Sequence, residues 1–154
     1  MREIKFRGKE IDTKEWVYGG IVHQTDHYGN KCDKYFIIDG ESTYDYEMGE
    51  NQLVDGNPVG QFTGLRDKNG VEIYEGDIVE AFDGEEILKV DWIKALSNYG
   101  FRCYGKQKKK KQKKETLSYL GYSEFVDYSE NGECANLKVI GNIYDNPKLL
   151  ERQL

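Results

Sequence analysis

Apolar and polar positions along this chain change places in short runs, and the runs are mostly too brief for helices. Leu88, Val90 and Trp92 alternate with Lys89 and Asp91, as a half-buried strand requires. The same reading predicts strands at Ile4–Arg7, Trp16–Val22, Tyr35–Ile38, Val59–Leu65, Val71–Tyr74, Ile78–Phe82, Ile87–Trp92, Tyr99–Tyr104 and Leu137–Tyr144. Turn residues separate them. Gly8–Glu15 connects the first pair, and Gly29-Asn30, Asn69-Gly70, Gly76-Asp77 and Asp83-Gly84 punctuate the rest. Two segments predict helix instead: Thr116–Val126, where Leu117 and Leu120 are three apart, and the tail Lys148–Leu154. Ser42–Val54 is acidic and aperiodic, and both a short helix and an irregular excursion fit it.

These elements predict a mainly β protein with minor helix. The first three strands suit a meander, and the many close-spaced strands that follow suit a small barrel or a sandwich. The expected division is an N-terminal meander over 1–57 and a barrel region over 58–154, with one intertwined domain over 1–154 as the alternative. Seventeen glycines against two prolines fit frequent turns within an ordered domain. At 154 residues the chain can bury enough surface to fold without metals or disulfides. Aromatic residues make up 13% of it, which compensates for a modest aliphatic content.

Charge changes the picture in one place. The formal net charge is −6, which disfavours general attraction to nucleic acid or anionic membranes. Seven of the cations, however, are Lys106, Lys108, Lys109, Lys110, Lys111, Lys113 and Lys114, so the remainder of the chain carries −13. Cys32, Cys103 and Cys134 are odd in number and follow no CxxC spacing, which predicts free thiols and a reducing cytosol. No apolar stretch approaches the length of a membrane span.

Three blocks carry a family resemblance. They are Ile4-Lys5-Phe6-Arg7-Gly8-Lys9 with Trp16-Val17-Tyr18-Gly19, then Val59–Leu65 continuing through Asp67-Lys68-Asn69-Gly70 to Ile73–Val79, and finally Val139–Pro147. In order and spacing the chain resembles the YopX family of bacteriophage and prophage proteins. The resemblance implies a phage-derived protein of the host cytoplasm, mostly β, whose C-terminal part is an SH3-type barrel. It implies no activity and supplies no catalytic residues. Its motif positions, Phe6, Arg7, Gly8, Trp16, Gly60, Thr63, Gly64, Gly76, Asp77, Gly141, Asn142, Asn146 and Pro147, are expected to act structurally.

Candidate chemistry is sparse. Glu75 and Asp77 flank Gly76, and the plain reading is a turn whose Asp side chain bonds nearby amides. His23 and His27, with Cys32 and Asp33, follow no diagnostic metal spacing, so neither a metal nor a cofactor is expected. No nucleophile elbow, phosphate-binding loop or Cys/His signature is present, which predicts a non-enzymatic protein. A macromolecule-binding module is expected, with a protein as the favoured partner and a homo-oligomer as one form of it. The alternative is single-stranded nucleic acid gripped by the lysine tract with Tyr99, Phe101, Tyr104, Tyr119 and Tyr122 close by in sequence. An uncatalogued enzyme is a further alternative. The plain reading of the tract is a solvated loop.

Overall fold

A computed structural model describes residues 3–25, 31–38, 52–81, 84, 86–93, 98–107, 116–124 and 136–153. Ten strands fill it. The first sheet holds β1 (Phe6–Glu10), β2 (Trp16–Thr25), β3 (Lys31–Ile38), β4 (Gln52–Arg66) and β5 (Glu72–Tyr74). The second, in the order β10-β6-β7-β8-β9, holds β6 (Asp77–Ala81), β7 (Glu86–Ile93), β8 (Asn98–Gln107), β9 (Thr116–Glu124) and β10 (Leu137–Asn142). A 3-10 helix, η1 (Pro147–Gln153), forms in the predicted helical tail. The expectation of a mainly β protein holds, in two sheets, with antiparallel pairing among β1–β4 and throughout the second sheet. By contacts the chain divides into two compact units, Met1–Phe62 and Thr63–Leu154.

In the first unit β1 is laddered on both edges, by β2 and by β4. Its hairpin to β2 closes through local bonds. The Glu10 amide donates to the Glu15 carbonyl at 2.9 Å, and the Lys14 amide to the Glu10 carbonyl at 3.1 Å, with Lys14 at φ 62°. The Thr13 hydroxyl donates to the Glu10 carboxylate and accepts the Glu15 amide. The pleat sends Phe6, Gly8, Val17, Ile21, Ile37 and Val54 to one face, and Ile37 and Val54 are buried there. Gly8 is required by packing, because a Cβ there would lie 2.9 Å from three atoms of Val54.

β4 is longer than its apolar pattern predicts. Asp55-Gly56-Asn57-Pro58 precedes the predicted strand Val59–Leu65, yet β4 runs through it. There the chain changes partners, from β3 at Gln52–Val54 to β1 at Val59–Gln61, with a register shift opposite Gly8 and Glu10. Proline is tolerated at such an irregularity because the ladder is already broken.

The second unit is centred on Ile73, Val79, Ala81, Leu88, Val90 and Leu137, with Leu65 and Val139 packed against them. Burying each large aliphatic side chain contributes about 1.5–3 kcal/mol. Two predictions for this region are corrected. Thr116–Glu124 is strand, not helix: it pairs with β8 from Gln107↔Thr116 to Gly100↔Glu124. The SH3-type closed barrel expected over 58–154 is not formed among the described residues, where the five strands pair in an open series ending at β10 and β9.

Both ends of that series are protected. Along β10, the Lys68 amide donates to the Leu137 carbonyl at 3.0 Å and the Val139 amide donates to Asp67 Oδ2 at 2.9 Å. In β9 the register steps from Tyr104↔Tyr119 to Cys103↔Gly121, leaving Leu120 as an extra, bulged residue. Capping and bulging are two of the ways in which sheet edges are made poor templates for a further strand.

Candidate functional site

From Lys5, just before β1, every second residue is basic: Lys5, Arg7 and Lys9. They share the sheet face opposite Gly8 and Val54, because side chains alternate along a strand. The register sets Arg7 beside Tyr18 and Lys9 beside Trp16, so two rings of β2 join this face. The Arg7 guanidinium lies 4.7 Å from the Trp16 ring centroid and Lys9 Nζ 5.6 Å from it, while Lys5 Nζ lies 5.8 Å from the Tyr18 ring. Each distance is within cation–π range.

The face continues along β2 with a change of character. Beyond Tyr18 come Gly20 and Val22, which the register sets beside Ile38 and Phe36 of β3. Tyr18 is 44% exposed and Val22 45% exposed, whereas Arg7 is buried. A Cβ built on Gly20 would meet only the Ile38 carbonyl oxygen, at 3.9 Å, so the row of side chains has a notch between Tyr18 and Val22. One end of the face is therefore cationic and aromatic, and the other carries Val22, Phe36 and Ile38 with Lys34 next along β3.

The chain's relationships agree with its motifs. A family model described as YopX protein matches residues 5–151. The chain belongs to the YopX family. A comparison with curated proteins returned no match. Among solved structures, the crystal structure of protein EF1440 from Enterococcus faecalis is similar, at 23% sequence identity and a TM-score of 0.43, over 97% of this chain and 99% of that one.

In this YopX-family protein the motif residues fall into three places. Phe6, Arg7, Gly8, Trp16 and Gly60 meet at β1, with Gly60 opposite Arg7. Thr63 and Gly64 lie late in β4, where the Thr63 hydroxyl donates to the Ile73 carbonyl at 2.8 Å and Gly64 has φ 88°. At the third, Asp77 is buried and its Oδ2 accepts the Tyr74 amide at 2.7 Å. Gly76 there donates its amide to the Val90 carbonyl and accepts the Ile143 amide, at φ 85°. Asn142 Oδ1 accepts the amides of Tyr144 and Asp145 at 2.9 and 2.8 Å, and the Asn146 carbonyl accepts the Leu149 amide as Pro147 opens η1. A Cβ on Gly141 would come within 2.5 Å of Asn146 Oδ1, so the loop closes tightly over that glycine.

The other candidates are described only in part. Lys106 lies in β8, and Lys108, Lys109, Lys110, Lys111, Lys113 and Lys114 lie outside the described residues. His23 stacks on Tyr35 at 4.5 Å between ring centroids, and His27 is outside the described residues. Among the described residues no group of three His, Cys, Asp or Glu side chains is placed to hold a metal, and no helix is long and apolar enough to cross a membrane. Sequence reasoning named Arg7 and Trp16 as structural and passed over Lys5, Lys9 and Tyr18. Alternating cations opposite the aromatic alternation of Trp16 and Tyr18 were the available signal.

Proposed function

We propose that this protein is a non-enzymatic binding module for another protein, and that the β1–β2 face is its docking surface. The observation that carries this reading is exposed Tyr18 and Val22 on one sheet face beside half-buried Trp16. Trp, Tyr and Arg are the residue types in which interface binding energy concentrates. Docking by strand addition fits less well, because Asp67 and Lys68 cap β10 and Leu120 bulges β9. The non-enzymatic reading is supported by the buried carboxylates of Asp67 and Asp77, both engaged as acceptors for main-chain amides. The resemblance to phage and prophage proteins supports action in a bacterial cytoplasm.

The test is affinity capture from bacterial lysate with the wild type and with Tyr18→Glu, each with and without nuclease. The expected result is a protein retained by the wild type, insensitive to nuclease and lost from the variant. Retention of the same proteins by Tyr18→Glu would overturn the docking surface. Nuclease-sensitive retention would favour the nucleic-acid alternative.

A further inference from the structure

We infer that Asn69 is a self-modification site: the Gly70 nitrogen displaces ammonia from the Asn69 side chain when the Asp67–Val71 turn opens, and the product loosens the edge of β10. Asn69 and Gly70 are both exposed. Gly70 has φ 79°, which glycine adopts readily, and a Cβ built on it would meet nothing within 4 Å. The turn therefore selects glycine on backbone grounds. Glycine is also the residue that least obstructs attack by its own nitrogen on the preceding side chain. The reaction needs only water. The Gly70 nitrogen loses its proton and bonds to Asn69 Cγ, closing a cyclic imide, and the side-chain nitrogen leaves as ammonia. Water then opens either imide carbonyl. One opening gives aspartate, and the other gives isoaspartate, whose main chain runs through the former side chain.

The closed turn holds that reaction back. The Gly70 amide donates to the Asp67 carbonyl at 2.9 Å, and Arg66 Nη1 donates to the Gly70 carbonyl at 3.1 Å. Until those contacts part, the nitrogen can neither ionise freely nor swing onto Cγ, so local opening governs it as it governs amide exchange. The Asn69 amide is fixed as well, donating to Asp67 Oδ1 at 2.8 Å. The product then acts on the turn that made it. It places a new carboxylate two residues from Asp67, where like charges repel. Isoaspartate also adds a main-chain methylene inside a turn closed by the Asp67 amide on the Val71 carbonyl at 2.8 Å. Asp67 Oδ2 accepts the Val139 amide and the Lys68 amide donates to the Leu137 carbonyl, so distortion of this turn reaches β10.

A second Asn-Gly pair in the chain, Asn131-Gly132, serves as an internal reference. The full chain is incubated at mildly alkaline pH, natively and in urea, and conversion at each pair is followed by peptide mass spectrometry with isoaspartate resolved chromatographically. In urea both pairs should convert. Natively, Asn69 should convert at least about tenfold more slowly than in urea, as two hydrogen bonds that must open together imply. Arg66→Gln, a change at an exposed side chain, should raise the native rate at Asn69 about two- to fivefold and leave Asn131 unchanged. Asp67→Ala should raise it further; Arg66→Gln decides the matter if that variant does not fold. Converted protein, separated by anion exchange through its additional negative charge, should unfold at lower urea than fresh protein. Asn69→Gln aged in the same way should not. Equal native and urea rates at Asn69, no conversion in urea, or a native rate unmoved by Arg66→Gln would each overturn the inference. Converted protein as stable as fresh protein would overturn it too.

Discussion

Asp67 and Val139 stand 72 residues apart in sequence, and Asp67 Oδ2 accepts the Val139 amide at 2.9 Å. The other oxygen, Oδ1, accepts the amides of Asn69 and Val71 at 2.8 and 3.0 Å. One buried carboxylate thus holds the β4–β5 turn in shape and seals the edge of β10. Alanine at Asp67 would leave three amide donors without their acceptor, two from the turn and one from the strand. We expect Asp67→Ala to lower stability by about 2–4 kcal/mol. Asp67→Asn keeps one acceptor oxygen for the turn and sets an amide NH2 against Val139, so it should cost about 1–2 kcal/mol. Urea denaturation of the two variants checks the order; equal stability of Asp67→Ala and wild type would refute it.

Gly8 and Val54 make a second coupled pair. A methyl group on Gly8 would overlap Val54 Cβ and both of its γ carbons at 2.9 Å. Overpacking of this kind costs about 1–3 kcal/mol, and Gly8→Ala should fall in that range. Val54→Ala alone opens a cavity in a fully buried position and should be destabilising too. Combined, the added methyl occupies space the valine vacates, so the double variant should be more stable than the sum of the single changes implies. A double-mutant cycle by thermal denaturation measures that coupling. Strict additivity would show that the close approach is relieved elsewhere.

The strand content was legible because alternation and turn residues agree over most of the chain. It failed where the ladder itself is irregular. Leu117 and Leu120 suggested helical spacing, but the bulge at Leu120 shifts β9 by one residue and breaks the period of two. Asp55–Pro58 fell outside the predicted strand because β4 changes partners there, where turn-type residues suit a broken ladder. The face at β1–β2 was half legible. Lys5, Arg7 and Lys9 alternate openly in sequence, but their meeting with Trp16 and Tyr18 depends on cross-strand register, which no local pattern specifies.

Leu120 yields a prediction of its own. Deleting it should restore a regular β9 whose outer edge is flat and, from Thr116 to Ser123, uncharged. Such edges recruit other strands. Size-exclusion chromatography with light scattering should show the deletion variant associating more strongly than the wild type at equal concentration. If both have the same mass across the concentration range, the bulge is not what protects this edge.

The turn at Gly76 should be equally intolerant of change. Its φ of 85° is open to glycine and unfavourable for residues with a Cβ, and that Cβ would lie 3.1 Å from Tyr144 Cε2. Gly76→Ala should therefore cost about 1–3 kcal/mol. Tyr144→Ala removes the ring and leaves the backbone strain. Combining the two should recover part of the loss and not all of it. Full recovery, measured by urea denaturation, would mean that the contact alone excludes a side chain at Gly76; no recovery would assign the cost to backbone conformation alone.

The lysine tract separates the nucleic-acid alternative from the docking face. Replacing its seven lysines by glutamine takes the formal charge from −6 to −13 and touches none of the motif residues. Exposed substitutions change stability by no more than about 0.5 kcal/mol each, so the substituted protein should fold. If the tract gripped single strands, wild-type affinity for oligothymidylate would fall with salt at a log–log slope of about −0.7 per phosphate neutralised, and substitution would remove most of that slope. The face predicts otherwise. Oligothymidylate binding by the wild type should be weak even at low ionic strength, where electrostatic attraction is strongest. Capture of a protein partner should survive loss of the tract, because exposed Tyr18 and Val22 of the proposed docking face are unchanged. Fluorescence anisotropy across a salt series on both proteins provides the first comparison, and capture with the substituted protein the second. Steep, tract-dependent binding of oligothymidylate together with tract-dependent capture would transfer the function from the β1–β2 face to the lysines.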